Sequence, residues 1–165
     1  MSKTRILGID PGLNITGYGV LDVSDSRQAT VVEAGVVRSK ASQSLPKRLT
    51  ALHAGIVDVI TSLEPDVVAI EELYSHYERP RTAILMGHAR GVICLAAAQN
   101  DKEVSHYAAT QIKKILTGNG RAPKVQVQLA VTRHLNLDTV PEPADVADAL
   151  AIAICHQFLG QSISV

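Results

Sequence analysis

Residues 5–22 read RILGIDPGLNITGYGVLD, and the apolar run Ile6-Leu7-Gly8-Ile9 ends directly on Asp10-Pro11-Gly12. A short apolar run closed by turn residues is the pattern of a buried strand. Asp-Pro-Gly is also an ordinary turn. Whether Asp10 does more than turn the chain therefore depends on whether other carboxylates end apolar elements in the same way.

Working outward, TGYGVLDV (16–23) and TVVEAGVVRS (30–39) mix alternation with β-branched residues, and the polar SDSRQA between them marks a hairpin turn. The first third thus predicts a three-stranded antiparallel meander. Leu45, Leu49, Leu52, Ile56, Val59 and Leu63 then recur at steps of three and four, one apolar helical stripe, with Ser44 as N-cap, Pro46 in the first turn and Pro65 beyond the end. DVVAIEE (66–72) is a second apolar strand, and it too finishes on carboxylates, Glu71 and Glu72. The remainder predicts a helix over 81–100, a strand over 102–108, helices over 109–118 and 124–135, and a closing helix over 144–159. Antiparallel strands followed by helix, strand, helix, strand and terminal helices describe an α/β fold with a mixed five-stranded sheet flanked by helices.

At 165 residues with 46% hydrophobic content, the chain is expected to form one domain over 1–165, with no repeat or linker to divide it. Neither a leader-like start nor a membrane-length apolar run is visible, so a cytoplasmic location without membrane contact is expected. Cys94 and Cys155 lie in apolar runs without zinc spacing and read as buried thiols. Tyr18, Tyr107 and Phe158 read as core aromatics.

Net charge is zero, but it is not evenly spread. Residues 1–78 carry 7 basic and 10 acidic side chains, 79–133 carry 9 and 2, and 134–165 carry none and 4. A basic middle between acidic flanks suits a protein that holds cations against a polyanion, although solvated helix faces of one sign would look the same.

In PEPADVADALAIAICH, Asp145 and Asp148 are spaced i, i+3, so both project from one face near the start of an otherwise apolar helix. Capping and dipole complementation would explain that pair alone. Asp10 and Glu71 come together at one sheet edge if their strands are neighbours. Four carboxylates buried side by side need a cation, because like charges raise one another's pKa and cost stability. Oxygen-only ligation suits Mg²⁺ or Mn²⁺, and a pair of such ions clamps the attacking and leaving oxygens of phosphodiester hydrolysis.

The blocks LGIDPGLNITGYGVL, AIEELY, GHARGV, YAATQIKKILTGNGRAPKVQVQ and ADVADALAIAICH, taken in order, resemble the signature segments of the RuvC family of Holliday-junction resolvases. The resemblance implies an RNase H-like fold and a homodimeric, Mg²⁺-dependent endonuclease. Such enzymes place paired symmetric nicks across a four-way DNA junction beside a branch-migration complex of the RuvA and RuvB type. It places the four catalytic acids at Asp10, Glu71, Asp145 and Asp148, with Asp10 shared between two ions. Glu72 is expected to point away. Tyr74 stands where the family pattern has a Phe that stacks on an unpaired base, a role tyrosine can also fill. Lys113 and Lys124 match phosphate-contacting positions around the loop Gly118-Asn119-Gly120, and Arg121 and Lys114 read as outer contacts. The helix over 81–100, rich in small residues, is implied as the dimer contact. No histidine is assigned a catalytic role, since a metal-activated water needs no separate base.

Three other readings use the same residues. Asp-Pro-Gly followed by TGYGVLD resembles the phosphate loop of an actin-like ATPase, but one short chain has room for only one lobe. A non-catalytic DNA-binding relative would be expected to lose carboxylates that all stand here. An RNase H-like nuclease acting on RNA would lack the full series of blocks.

Overall fold

The computed structural model describes residues 2–73 and 79–160. Strands β1 (Lys3–Asp10), β2 (Ile15–Ser24) and β3 (Ala29–Arg38) are followed by α1 (Leu45–Leu63), β4 (Val67–Glu71), α2 (Pro80–Gln99) and β5 (Glu103–Tyr107). Helices α3 (Ala109–Thr117), α4 (Lys124–His134) and α5 (Ala144–Leu159) complete the described chain. The sheet order is β3-β2-β1-β4-β5. The three N-terminal strands form the expected antiparallel meander, and β4 and β5 extend it in parallel, with Ile9 opposite Ile70 and Glu71 opposite Tyr107.

Strand alternation sorts the core into two layers. Leu7, Ile9, Val68 and Ile70 pack against α1 and α2. Ile6 and Ala69 face the other way, into a layer with α3, α4 and α5. Asp10 and Glu71 share the parity of Ile6 and Ala69, so both carboxylates leave the sheet on the α5 side. Glu72, one residue later, is exposed, as expected.

Helix α5 is buried along nearly its whole length. It reaches that depth because glycines floor its track. A Cβ on Gly8 would run into the Ala149 carbonyl, one on Gly17 into the Asp145 carbonyl, and one on Gly19 into the Leu150 side chain. Gly8 pairs with Gly19 and Asp10 with Gly17, so these small residues form one patch across β1 and β2.

Local chemistry departs from expectation at several points. Ser44 holds the N-cap position of α1, but its side chain makes no capping bond; its carbonyl accepts from the Arg48 amide at 3.0 Å. The helix ends at Glu64, in the left-handed region at φ 48°, directly before Pro65. Cys155 is buried, whereas Cys94 is only half-buried on the outer part of α2. Tyr107 is a core residue, but Tyr18 is half-buried with its hydroxyl donating to Glu33 at 2.7 Å. Phe158 is 42% exposed and tilts against His134, because the end of α5 runs past the edge of the core. Arg5 ties the meander to the end of α1, with paired bonds of 2.7 and 3.0 Å to Asp22 and one of 2.7 Å to the Leu63 carbonyl. Among the described residues no helix is long and apolar enough to cross a membrane.

Candidate active site

The pairing of β1 with β4 settles where the first two acids stand. Both strands end one residue past the Ile9–Ile70 pair, so Asp10 and Glu71 lie side by side at the carboxyl edge of two parallel strands. Asp145 reaches the same edge because the start of α5 rests on Gly17, the strand partner of Asp10. Asp148 follows one helical turn later on the same face.

The electrostatics record how closely the four interact. Burial pushes the Asp10 carboxyl up to about 8, and the charges of Asp148, Glu71 and Asp145 add to the rise, with Lys124 opposing it. Glu71 is likewise raised, first by burial and then by Asp148, against the pull of Lys113 and Arg90. Both shifts have the sign of acids crowded in a poorly solvated place.

Glu71 and Asp148 line a cleft of about 240 Å³ together with Lys113 and Lys124, floored by apolar residues that include Ile112, Val127 and Ile152. Lys124 opens α4 and its Nζ lies 3.3 Å from Asp148 Oδ2. Lys113 projects into the cleft from α3. The structure thus brings together Asp10, Glu71, Asp145, Asp148, Lys113 and Lys124, from five elements of the fold.

Other expected contacts stand apart. Arg121 is exposed on the α3–α4 loop outside the cleft lining, its amide donating to Asn119 Oδ1 at 2.9 Å. Lys114 lies in the last turn of α3, beside a separate shallow pocket with Gln111 and Leu159. Gly118 serves the backbone: at φ 80° it ends α3, its amide donating to the Lys114 carbonyl at 2.8 Å. Tyr74 lies outside the described residues.

Among the described residues, no three His, Cys, Asp or Glu side chains converge at metal-ligating spacing. The acids share one field without closing on a point, and the Lys124 ammonium lies across Asp148. The donor set still fits a hard divalent cation: every acidic group offers carboxylate oxygen, and the acids outnumber the cleft's lysines. A cation there would offset the burial and the repulsion that together raise Asp10.

Sequence reasoning passed over two contributors. Gly17 sets the depth of α5 beneath Asp10, and the small-residue alternation Gly17-Tyr18-Gly19 was its only signal. Arg90 reaches the Glu71 backbone from α2, and its signal was the block GHARGV.

A family model described as Crossover junction endodeoxyribonuclease RuvC matches residues 6–156. The protein of that description from Rhodopirellula baltica is 56% identical over 161 residues, 98% of this chain and 90% of the relative. The counterpart from Alkaliphilus oremlandii is 46% identical over 155 residues, 94% of this chain and 93% of the relative. The solved structure of T. thermophilus RuvC in complex with Holliday junction substrate matches with a TM-score of 0.90 at 33% identity, over 96% of each chain. The mixed five-stranded sheet with helices on both faces is accordingly RNase H-like. Order of elements, register at the acidic edge and likeness over nearly the full length agree: the chain belongs to the RuvC family of crossover junction endodeoxyribonucleases.

Proposed function

We propose that this chain, as one nuclease domain over 1–165, resolves four-way (Holliday) DNA junctions during homologous recombination and DNA repair, hydrolysing phosphodiesters by paired symmetric nicks. The observation that carries the reading is the meeting of Asp10 and Glu71 at the ends of adjoining parallel strands, facing Asp145 and Asp148 on α5. The T. thermophilus relative crystallised with its junction substrate supports the choice of DNA.

In this reading Asp10, Glu71, Asp145 and Asp148 would hold Mg²⁺, two ions per protomer, with Mn²⁺ able to substitute. Bound there, the ions would supply an acidified water and a counter-charge for the departing oxygen. The chain's own work is to place the acids and to receive the phosphate. Asp10, whose carboxyl feels the charges of Asp148, Glu71 and Asp145, would be the ligand the ions share, with Glu71 and Asp148 beside it and Asp145 completing the acidic edge. Lys124 balances Asp148 in the free protein, and an arriving phosphate competes for its ammonium. Lys113, across the cleft, offers a second cation. Arg121 contacts the backbone farther out, and Tyr74 serves as a further DNA contact.

Two copies joined through α2 would set two such sites at a fixed separation, matching the two-fold symmetry of a junction. Ile84 and Leu95, 62% and 51% exposed on that helix, support this face as the contact. The homodimer works in the cytoplasm beside a RuvA- and RuvB-type branch-migration complex.

The test is a labelled synthetic four-way junction beside a linear duplex of the same arms, with Mg²⁺ and with EDTA. Paired nicks confined to the junction and to the metal are expected, with Asp10→Asn and Glu71→Gln binding the junction without cutting it. Binding without nicking by the unaltered protein would make it a non-catalytic relative. Normal cutting by either variant would remove that acid from the site.

A further inference from the structure

The guanidinium of Arg90, on α2, spans two strands. Its Nε donates to the Glu71 carbonyl at 3.0 Å, and one Nη donates to His106 Nδ1 at 2.9 Å. Glu71 ends β4, His106 belongs to β5, and the two strands are parallel with Ile70 opposite His106. A guanidinium only donates, so Nδ1 of His106 is the acceptor and the imidazole proton sits on Nε2. One planar fork thus joins the carboxyl ends of neighbouring strands, and it does so from the helix layer on the far side of the sheet from α5.

That end needs holding. The β1–β4 pairing stops at Ile70, one residue short of Glu71. Beyond it, the Glu72 amide donates to the Tyr107 carbonyl at 2.8 Å as the last rung between β4 and β5. Meanwhile the Glu71 side chain shares its cleft with Asp148, a like charge. A backbone free to shift would let the two carboxylates move apart. No other described hydrogen bond from a side chain reaches the Glu71 backbone.

We propose that Arg90 is a positioning residue: its fork clamps the ends of β4 and β5 together and so sets where the Glu71 carboxylate stands in the acidic cleft. A lysine would keep the charge but present a single ammonium that cannot span both acceptors in the plane of the fork. The activity arm of this inference rests on the nuclease reading; its structural arms do not.

The test compares the unaltered protein with Arg90→Ala and Arg90→Lys. Backbone amide exchange is read at Glu72 and, as an internal control, at Val68 in mid-β4. Mg²⁺ alone is titrated by calorimetry, junction affinity is measured in EDTA, and single-turnover cleavage in saturating Mg²⁺. In Arg90→Ala, exchange at Glu72 is expected to rise about tenfold with Val68 unchanged, and the Mg²⁺ needed for half-saturation to rise severalfold. Cleavage falls roughly 10- to 100-fold, the scale of a small misplacement at a reacting centre, with junction affinity within about twofold. Arg90→Lys is expected to follow Arg90→Ala in all readouts. Unchanged exchange at Glu72, equal loosening at Val68, or full recovery with lysine would each overturn the clamp. An unaltered protein that does not cut junctions would overturn the nuclease reading instead, leaving exchange and Mg²⁺ titration to judge Arg90.

Discussion

Replacing Asp10 with asparagine should stabilise this protein in the absence of divalent metal, an unusual direction for a substitution at a buried position. In the unfolded chain the Asp10 carboxyl titrates near its ordinary value of 3.8, whereas in the fold it is pushed up to about 8. The folded state therefore binds the proton more tightly, and stability falls as pH rises from about 4 through about 8. At pH 7 the chain has climbed roughly three units of that window. At about 1.4 kcal/mol per unit, taking up the proton that Asp10 needs in the fold costs about 4 kcal/mol at most. Asparagine keeps the shape and enters the fold without taking up a proton, so in EDTA at pH 7 Asp10→Asn should gain about 2–4 kcal/mol, or roughly 5–15 °C in Tm. Thermal unfolding at pH 7 and pH 4, with EDTA and with Mg²⁺, provides the assay. The gain should vanish as pH falls through about 4, where the unfolded carboxyl becomes protonated too and folding no longer takes up a proton. Mg²⁺ should stabilise the unaltered protein more than the variant, because only the former keeps the full acid set. A variant no more stable than its parent in EDTA at pH 7, or equally stabilised at pH 4, would refute the reasoning.

Three further outcomes are expected. The Arg5 guanidinium holds Asp22 below the usual carboxylate range, so this pair's contribution is present above pH 4 and is lost as pH falls through the depressed value; Asp22→Asn should cost about 1 kcal/mol in urea unfolding at pH 7 and progressively less in acid. Gly17→Ala forces a methyl into the Asp145 carbonyl, and should cost about 1–3 kcal/mol while slowing junction cleavage further than the lost stability accounts for; cleavage at the parent rate would show that the seating of α5 does not set the site. Lys124→Ala should weaken junction binding and lower its salt slope by about one unit if Lys124 neutralises one phosphate; an unchanged slope would leave it as the partner of Asp148 alone.

Much of the architecture was legible because its signals are local. Alternation in 16–23 and 30–39, the helical stripe from Leu45 to Leu63 and the turn residues between them each depend on near neighbours in the chain. The elements accordingly fall within a residue or two of their expected bounds. What misled were contacts whose partners lie elsewhere. Ser44 looked like a capping side chain and makes no cap bond, while Phe158 and Cys94 looked like core and sit at its margin. Apolar character reports a preference for burial, and packing decides whether the place exists.

By itself, then, the amino-acid sequence determined the order of strands and helices, and it put a carboxylate at the end of two apolar strands and two more at the head of an apolar helix. Only the tertiary structure decided that β1 lies between β2 and β4, so that Asp10 and Glu71, sixty-odd residues apart, stand in register. It also decided how deep α5 sits, through Gly8, Gly17 and Gly19, and that Arg90 reaches across from the opposite layer to the Glu71 backbone. Those facts depend on strand pairing and on the distance between layers, and the same depth of burial is what lifts the Asp10 carboxyl to about 8. An isolated Asp-Pro-Gly is a turn; the same three residues beneath α5 and beside Glu71 form the edge of a charged cleft.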